Sequence, residues 1–254
     1  MTELLQVDDL SLRFGGIAAL EHVSFAVPTG ELLAIVGPNG AGKTSLLNCV
    51  TGAYHPSNGR ILFEGAEITR APAHSAAKRG IARTFQHNEL FPQMTVLENL
   101  LLGRQAVLDY GLLRAGIFLG SCRSWELEQR ERVEAIVEFF ELEPYRKHLT
   151  GDLPYGIQKL IGLARAFAAE PRLVLLDEPS AGLSRQEKED VARYLLRMRN
   201  EFAPTMIWIE HDMQLVRDLA DRVFVLHYGR ELASGSPKEV LSDPRVVEAY
   251  VGKR

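Results

Sequence analysis

Residues 37–44 read Gly37-Pro38-Asn39-Gly40-Ala41-Gly42-Lys43-Thr44, with an apolar run from Leu32 to Val36 before them and a helix-like run from Ser45 to Val50 after them. A strand that enters a glycine-rich turn and leaves as a helix is a P-loop, and it commits the chain to an α/β core. In such a turn several backbone N–H groups converge on one anion, and the following helix adds the positive end of its dipole. A polyphosphate fits there. The candidate phosphate-binding residues are therefore Gly37, Pro38, Asn39, Gly40, Ala41, Gly42, Lys43, Thr44 and Ser45. Lys43 is expected to reach the β and γ phosphates, and the Thr44 hydroxyl to hold the magnesium ion that accompanies a nucleotide.

The chain has 254 residues, of which 46% are hydrophobic and 24% charged, enough for one large core with attached subdomains. It contains no uncharged apolar run of 18 residues, and its amino terminus lacks the three regions of a signal peptide. The expectation is a protein without a membrane span that works in the cytosol and reaches a membrane only through another protein. Cys49 and Cys122 lack C-x-x-C spacing, which predicts two reduced thiols rather than a disulfide or a metal site. A formal net charge of -4, with basic and acidic residues mixed throughout, gives no pull toward nucleic acid.

Alternating apolar positions at Leu5 and Val7, then Leu10, Leu12 and Phe14, a Gly15-Gly16 turn, and Val23, Phe25 and Val27 predict antiparallel strands leading into the P-loop strand. Gly59, Ile61, Phe63, Gly65 and Ile68 predict a further hairpin. From about Thr95 to Leu149 the spacing turns helical, as at Val96, Leu97, Leu100, Leu101 and again at Val133, Ile136, Val137, Phe140. After Pro154, the short apolar runs Leu173 to Leu176 and Thr205 to Ile209 suit buried strands of a parallel sheet.

The run Leu173 to Leu176 ends in Asp177-Glu178. Behind a P-loop, an apolar strand ending in two carboxylates supplies what phosphoryl chemistry needs. Asp177 would face the magnesium ion opposite Thr44, and Glu178, aimed elsewhere, would orient or deprotonate the attacking water.

With these two motifs the chain resembles the ATP-binding cassette (ABC) ATPases over nearly its whole length. Further segments follow the family's order. Arg83-Thr84-Phe85-Gln86 resembles the Q-loop, which implies that Gln86 approaches magnesium and the attacking water. Glu210-His211-Asp212 resembles the switch region, with His211 against the γ phosphate, and Phe14 stands where the family places a ring on adenine. Leu153-Pro154-Tyr155-Gly156-Ile157 stands for the signature, usually Leu-Ser-Gly-Gly-Gln, which closes over the nucleotide of a second subunit. Pro154 brings neither hydroxyl nor N–H, a loss of about 1.5 to 3 kcal/mol for one donor to a charged group. Gly156 and the helix behind it, expected over 156–170, remain to meet phosphate. Ser184 occupies a D-loop position where aspartate is common.

The resemblance implies a fold of class α/β, a P-loop NTPase (RecA-like) core with an antiparallel β subdomain and an α-helical subdomain. The core would span 1–90 and 155–254, and the helical part 91–154. Within the family, the insert from Arg104 to Trp125, the segments around Leu90-Phe91-Pro92 and Thr95 to Leu100, and the ending Val247 to Gly252 are similar to LivG-like ATPases of branched-chain amino acid importers. The implied cofactors are ATP and Mg2+. The implied partners are two membrane permease subunits, a second ATPase of LivF-like type or a second copy of the chain, and indirectly a solute-binding protein, at the cytoplasmic face of the inner membrane. The alternatives are an ATPase of a lipopolysaccharide-type exporter or a soluble ABC ATPase.

Overall fold

The computed structural model describes residues 2–84, 90–105 and 121–251. Gln86 and Phe85, most of the insert (106–120), the Cys122 and Trp125 side chains, and Gly252 lie outside the described residues. Two sheets carry the fold. The first is antiparallel, in the order β2 (Ile17–Pro28), β1 (Glu3–Phe14), β4 (Asn58–Phe63), β5 (Ala66–Glu67). The second has the order β10 (Arg230–Gly235), β9 (Arg222–His227), β3 (Leu32–Val36), β8 (Thr205–Ile209), β7 (Leu173–Asp177), β6 (Ile81–Thr84). In it β6, β7, β8, β3 and β9 run parallel, and β10 returns antiparallel on β9.

The expected hairpins form, with one refinement. The alternation in β1 changes phase between Val7 and Leu10 because the strand bulges there, with Asp9 in the left-handed region at φ 51. The P-loop strand β3 does not continue this antiparallel sheet but lies inside the parallel one. All five residues of β3, β7 and β8 are buried, as continuous apolar runs between two layers must be.

Strand alternation divides the core. Leu33, Ile35, Leu173, Leu175, Ile207 and Ile209 face the antiparallel sheet and the helix α1 (Lys43–Val50). Val174, Leu176, Met206 and Trp208 face the opposite layer of helices. Between β5 and β6 lies the single turn α2 (Ser75–Lys78). The 91–154 segment contributes α3 (Val96–Gln105) and α4 (Ser121–Phe139), and α5 (Tyr155–Ala168) follows it. The helix α5 begins one residue before the expected Gly156, with Pro154 at the N-cap (φ -55, ψ 148), and ends before Glu170. It packs on α3 and α4 as well as on the sheet.

Beyond β7, α6 (Arg185–Phe202) begins in a capping box made by Ser184 and Glu187, and buries Val191, Tyr194, Leu195 and Met198 at helical spacing. The chain closes with α7 (Met213–Leu219), α8 (Pro237–Leu241) and α9 (Pro244–Val251). Among the described residues no helix is long and apolar enough to cross a membrane.

Candidate functional site

Because β3, β8 and β7 are parallel neighbours, the loops at their carboxyl ends open on one side of the sheet. A cavity of about 610 Å³ lies there, lined by Asn39, Gly40, Ala41, Gly42, Lys43, Thr44, Ser45, Glu178 and His211, with Ile17, Ala18 and Ala19 from β2 forming an apolar flank. Gly42, the N-cap of α1, has φ +104, and a Cβ there would stand 2.5 Å from the Ala19 carbonyl oxygen. Only glycine lets the loop turn so tightly beneath β2.

Lys43 begins α1 and is 6% exposed. Its Nζ donates to the carbonyl oxygens of Gly37 at 2.7 Å and Pro38 at 3.0 Å, so those two residues hold the lysine rather than line the cavity. Burial pulls the Lys43 pKa below the ordinary 10.5, while the nearby charges of Glu178 and Asp177 oppose that pull. Asp177 is 2% exposed and its Oδ2 accepts from Arg83, whereas Oδ1 has no hydrogen-bond partner among the described residues. A buried carboxylate oxygen left over in this way suits a cation.

Glu178 follows at φ 49, a left-handed conformation uncommon outside glycine, and so its side chain leaves the strand in a different direction from that of Asp177. Its Oε1 is 2.7 Å from Nε2 of His211, the nitrogen that carries the proton when it faces a carboxylate. His211 is set by the residue before it. Glu210, 3% exposed, accepts the His211 N–H at 2.8 Å and the Asp212 N–H at 3.1 Å on Oε1, and the Ser180 hydroxyl at 2.7 Å on Oε2. Asp212 in turn caps α7.

The structure thus brings Lys43, Thr44, Glu178 and His211 to one cavity, with Asp177 behind it. Phe14 is not among the lining residues; it is 47% exposed and its ring meets Tyr54 edge-on at 5.1 Å. Gly156 also lies elsewhere, in the first turn of α5, where a Cβ would fall 2.0 Å from Oε1 of Glu187. Gln86 lies outside the described residues.

Three polar residues near the site have no role in the motif reading: Glu210 and Arg83, which stand in the switch and Q-loop segments without one, and Lys159. Lys159 is 7% exposed in α5, and burial lowers its pKa against the pull of Glu178, Asp177 and Glu210. The signal for it is a lysine on the buried stripe that carries Leu163, Ala166 and Phe167.

A magnesium ion here would have the Thr44 hydroxyl and Asp177 as oxygen donors. Among the described residues no three His, Cys, Asp or Glu side chains cluster to hold a metal by themselves. Few protein ligands, all oxygen, fit magnesium, which keeps waters and takes phosphate oxygens.

Comparison with known proteins agrees with this fold. The ABC transporter family matches residues 20–181, and the family described as branched-chain amino acid ATP-binding cassette transporter matches residues 230–254. The chain is 38% identical to the high-affinity branched-chain amino acid transport ATP-binding protein BraF of Pseudomonas aeruginosa, covering 98% of each chain. It is 37% identical to the LivG protein of the same description from Escherichia coli strain K12, again covering 98% of each. Among solved structures, an ATP-binding cassette of an ABC transporter in its ADP conformation superposes with a TM-score of 0.86 at 34% identity, covering 100% of both chains. A nucleotide-free cassette gives 0.85 at 33% identity, covering 99% of this chain and 100% of that one.

Proposed function

The chain belongs to the ABC transporter family, and from that premise we propose that it is the ATP-binding and ATP-hydrolysing subunit of an importer of branched-chain or related amino acids. The matching carboxyl-terminal family and full-length likeness to BraF and LivG support the substrate class. A subunit of this kind works against membrane permeases. We take these to be two permease subunits on the cytoplasmic side of the inner membrane, with a second ATPase beside the chain and a solute-binding protein beyond them.

The observation that carries hydrolysis is the pairing of Glu178 with His211 on the wall of a cavity floored by Lys43 and Thr44. Phosphates of ATP would lie over the 37–45 amides, with Lys43 turning its ammonium from the Gly37 and Pro38 carbonyls toward the β and γ oxygens. Thr44 and Asp177 would hold magnesium, which when bound neutralises phosphate charge as the bridging bond breaks. Glu178 accepts a proton from water as the water oxygen bonds to the γ phosphorus. The bond from that phosphorus to the bridging oxygen breaks, and ADP leaves with the bonding electrons. The His211 Nε2–H that meets Glu178 at 2.7 Å would turn to a γ phosphate oxygen once ATP lies in the cavity, leaving Glu178 to the water.

Purified protein should hydrolyse ATP, and Glu178→Gln should lower turnover by about 10²- to 10⁴-fold, as loss of a general base does, while nucleotide is still bound. Equal turnover in the two proteins would refute a catalytic Glu178. For substrate class, cells lacking the chain should lose uptake of branched-chain amino acids and regain it with the parent but not with Glu178→Gln.

A further inference from the structure

Arg83 stands in β6, three residues before Gln86, with its side chain 8% exposed. Its Nη2 donates to Oδ2 of Asp177 at 2.7 Å, and its Nη1 donates to Oδ1 of Asn48 at 2.5 Å. Asn48 lies on α1 one turn beyond Thr44. One planar guanidinium therefore ties the helix that starts under the phosphates to the strand that ends in Asp177. The Asp177 N–H also donates to the Thr84 hydroxyl at 3.3 Å, so β6 grips this aspartate twice.

With Oδ2 held by a rigid fork, rotation of the carboxylate about its last torsion is restrained, and Oδ1 keeps one direction. That oxygen has no partner among the described residues although it is buried. We propose that Arg83 is a positioning residue for Asp177, fixing one carboxylate edge to α1 so that the other is presented to the magnesium ion beside Thr44. The proposal rests on the reading of Asp177 as the metal-facing carboxylate. In this role Arg83 would act through Asp177 rather than by touching metal or nucleotide. Its contribution is one of aim rather than charge, because the fork fits both the Asn48 amide oxygen and the carboxylate, whereas an ammonium supplies the charge without that span.

The test uses the purified full-length chain and a fluorescent ATP analogue, titrated once with magnesium and once with magnesium chelated. The readout is the ratio of the two dissociation constants. Arg83→Lys keeps the charge and loses the fork; it should bind analogue without magnesium within about twofold of the parent, while the magnesium-dependent gain falls by about tenfold, the usual effect of loosening a ligand's support. Asn48→Ala, which leaves the Arg83–Asp177 contact in place, should lose a smaller part of the same gain. Circular dichroism and urea unfolding of each variant establish that it is folded before titration.

A full magnesium-dependent gain in Arg83→Lys overturns the proposal. So does an equal fall with and without magnesium, which would make the pair a strut of the fold. Asp177→Asn separates the two levels. If it retains the parent's gain, the metal reading of Asp177 fails and the role of Arg83 falls with it. If it loses the gain while Arg83→Lys retains it, only the role of Arg83 fails.

Discussion

Removing the Glu210 carboxylate should unfasten the loop that carries His211. In the structure this side chain accepts three hydrogen bonds: one from the Ser180 hydroxyl at 2.7 Å and two from the backbone N–H groups of His211 and Asp212, at 2.8 and 3.1 Å. Ser180 is 2% exposed, so in Glu210→Ala its hydroxyl has no water to turn to, at about 1–2 kcal/mol. The two N–H groups are only part-buried and regain some solvent, which puts each at the low end, about 0.5–1 kcal/mol. The sum is about 3 kcal/mol for Glu210→Ala before any reordering of the loop. Glu210→Gln keeps the volume. Its amide oxygen can accept the two N–H groups and its NH2 can donate to Ser180, so only charge assistance is lost, about 1 kcal/mol. Urea unfolding followed by tryptophan fluorescence measures both differences, provided the slopes against denaturant agree. Because the 2.7 Å contact between His211 and Glu178 depends on the same loop, ATP turnover should fall about tenfold or more in Glu210→Ala and less in Glu210→Gln. A Glu210→Ala protein within about 1 kcal/mol of the parent, or a Gln variant as unstable as the Ala variant, would refute this reasoning.

Lys43→Ala should weaken binding of an ATP analogue by about 10- to 100-fold, the worth of a charge-assisted contact, with little change in the unfolding midpoint; equal binding would remove Lys43 from the phosphate site. Pro154→Ser restores the missing hydroxyl, and the ATP concentration for half-maximal hydrolysis should drop several-fold, by about tenfold at most; an unchanged value would mean that the signature acts through its helix alone. Burial pushes the Cys49 thiol from 9.0 up to about 12. A raised folded value means that the stabilising share is whole below pH 9.0 and is lost as pH climbs toward about 12, so urea stability should decline across that window and Cys49→Ala should flatten the decline. In a Cys122→Ser background the same thiol should resist a disulfide reagent at pH 8 until the protein is unfolded.

What could be read from the chain was what lies contiguous in it. The P-loop, with an apolar run before it and a helix after it, and Asp177-Glu178 at the end of another such run declare themselves because strand, turn and chemistry are adjacent. The step from Val7 to Leu10 broke the alternation in the sequence, but that the strand bulges there at Asp9 came from the structure. Pairings across the sheet were not. Arg83 and Asp177 are 94 residues apart and meet because β6 and β7 are parallel neighbours, a register that the local pattern of neither strand encodes. Glu210 was legible as the start of the switch segment, but its buried hydrogen bond from Ser180, 30 residues away, was not. Phe14 lies at the end of β1, and its edge-on contact with Tyr54, 40 residues away, is likewise a pairing that the sequence did not announce.

The left-handed backbone at Glu178 sets two demands on one position against each other. Glycine would sit there with less strain, by about 1 kcal/mol, but would bring no carboxylate to the water. The chain keeps the less comfortable residue, and rigidity and turnover should therefore pull apart at this point: substitutions that relax the bend would yield a hardier protein and a slower motor.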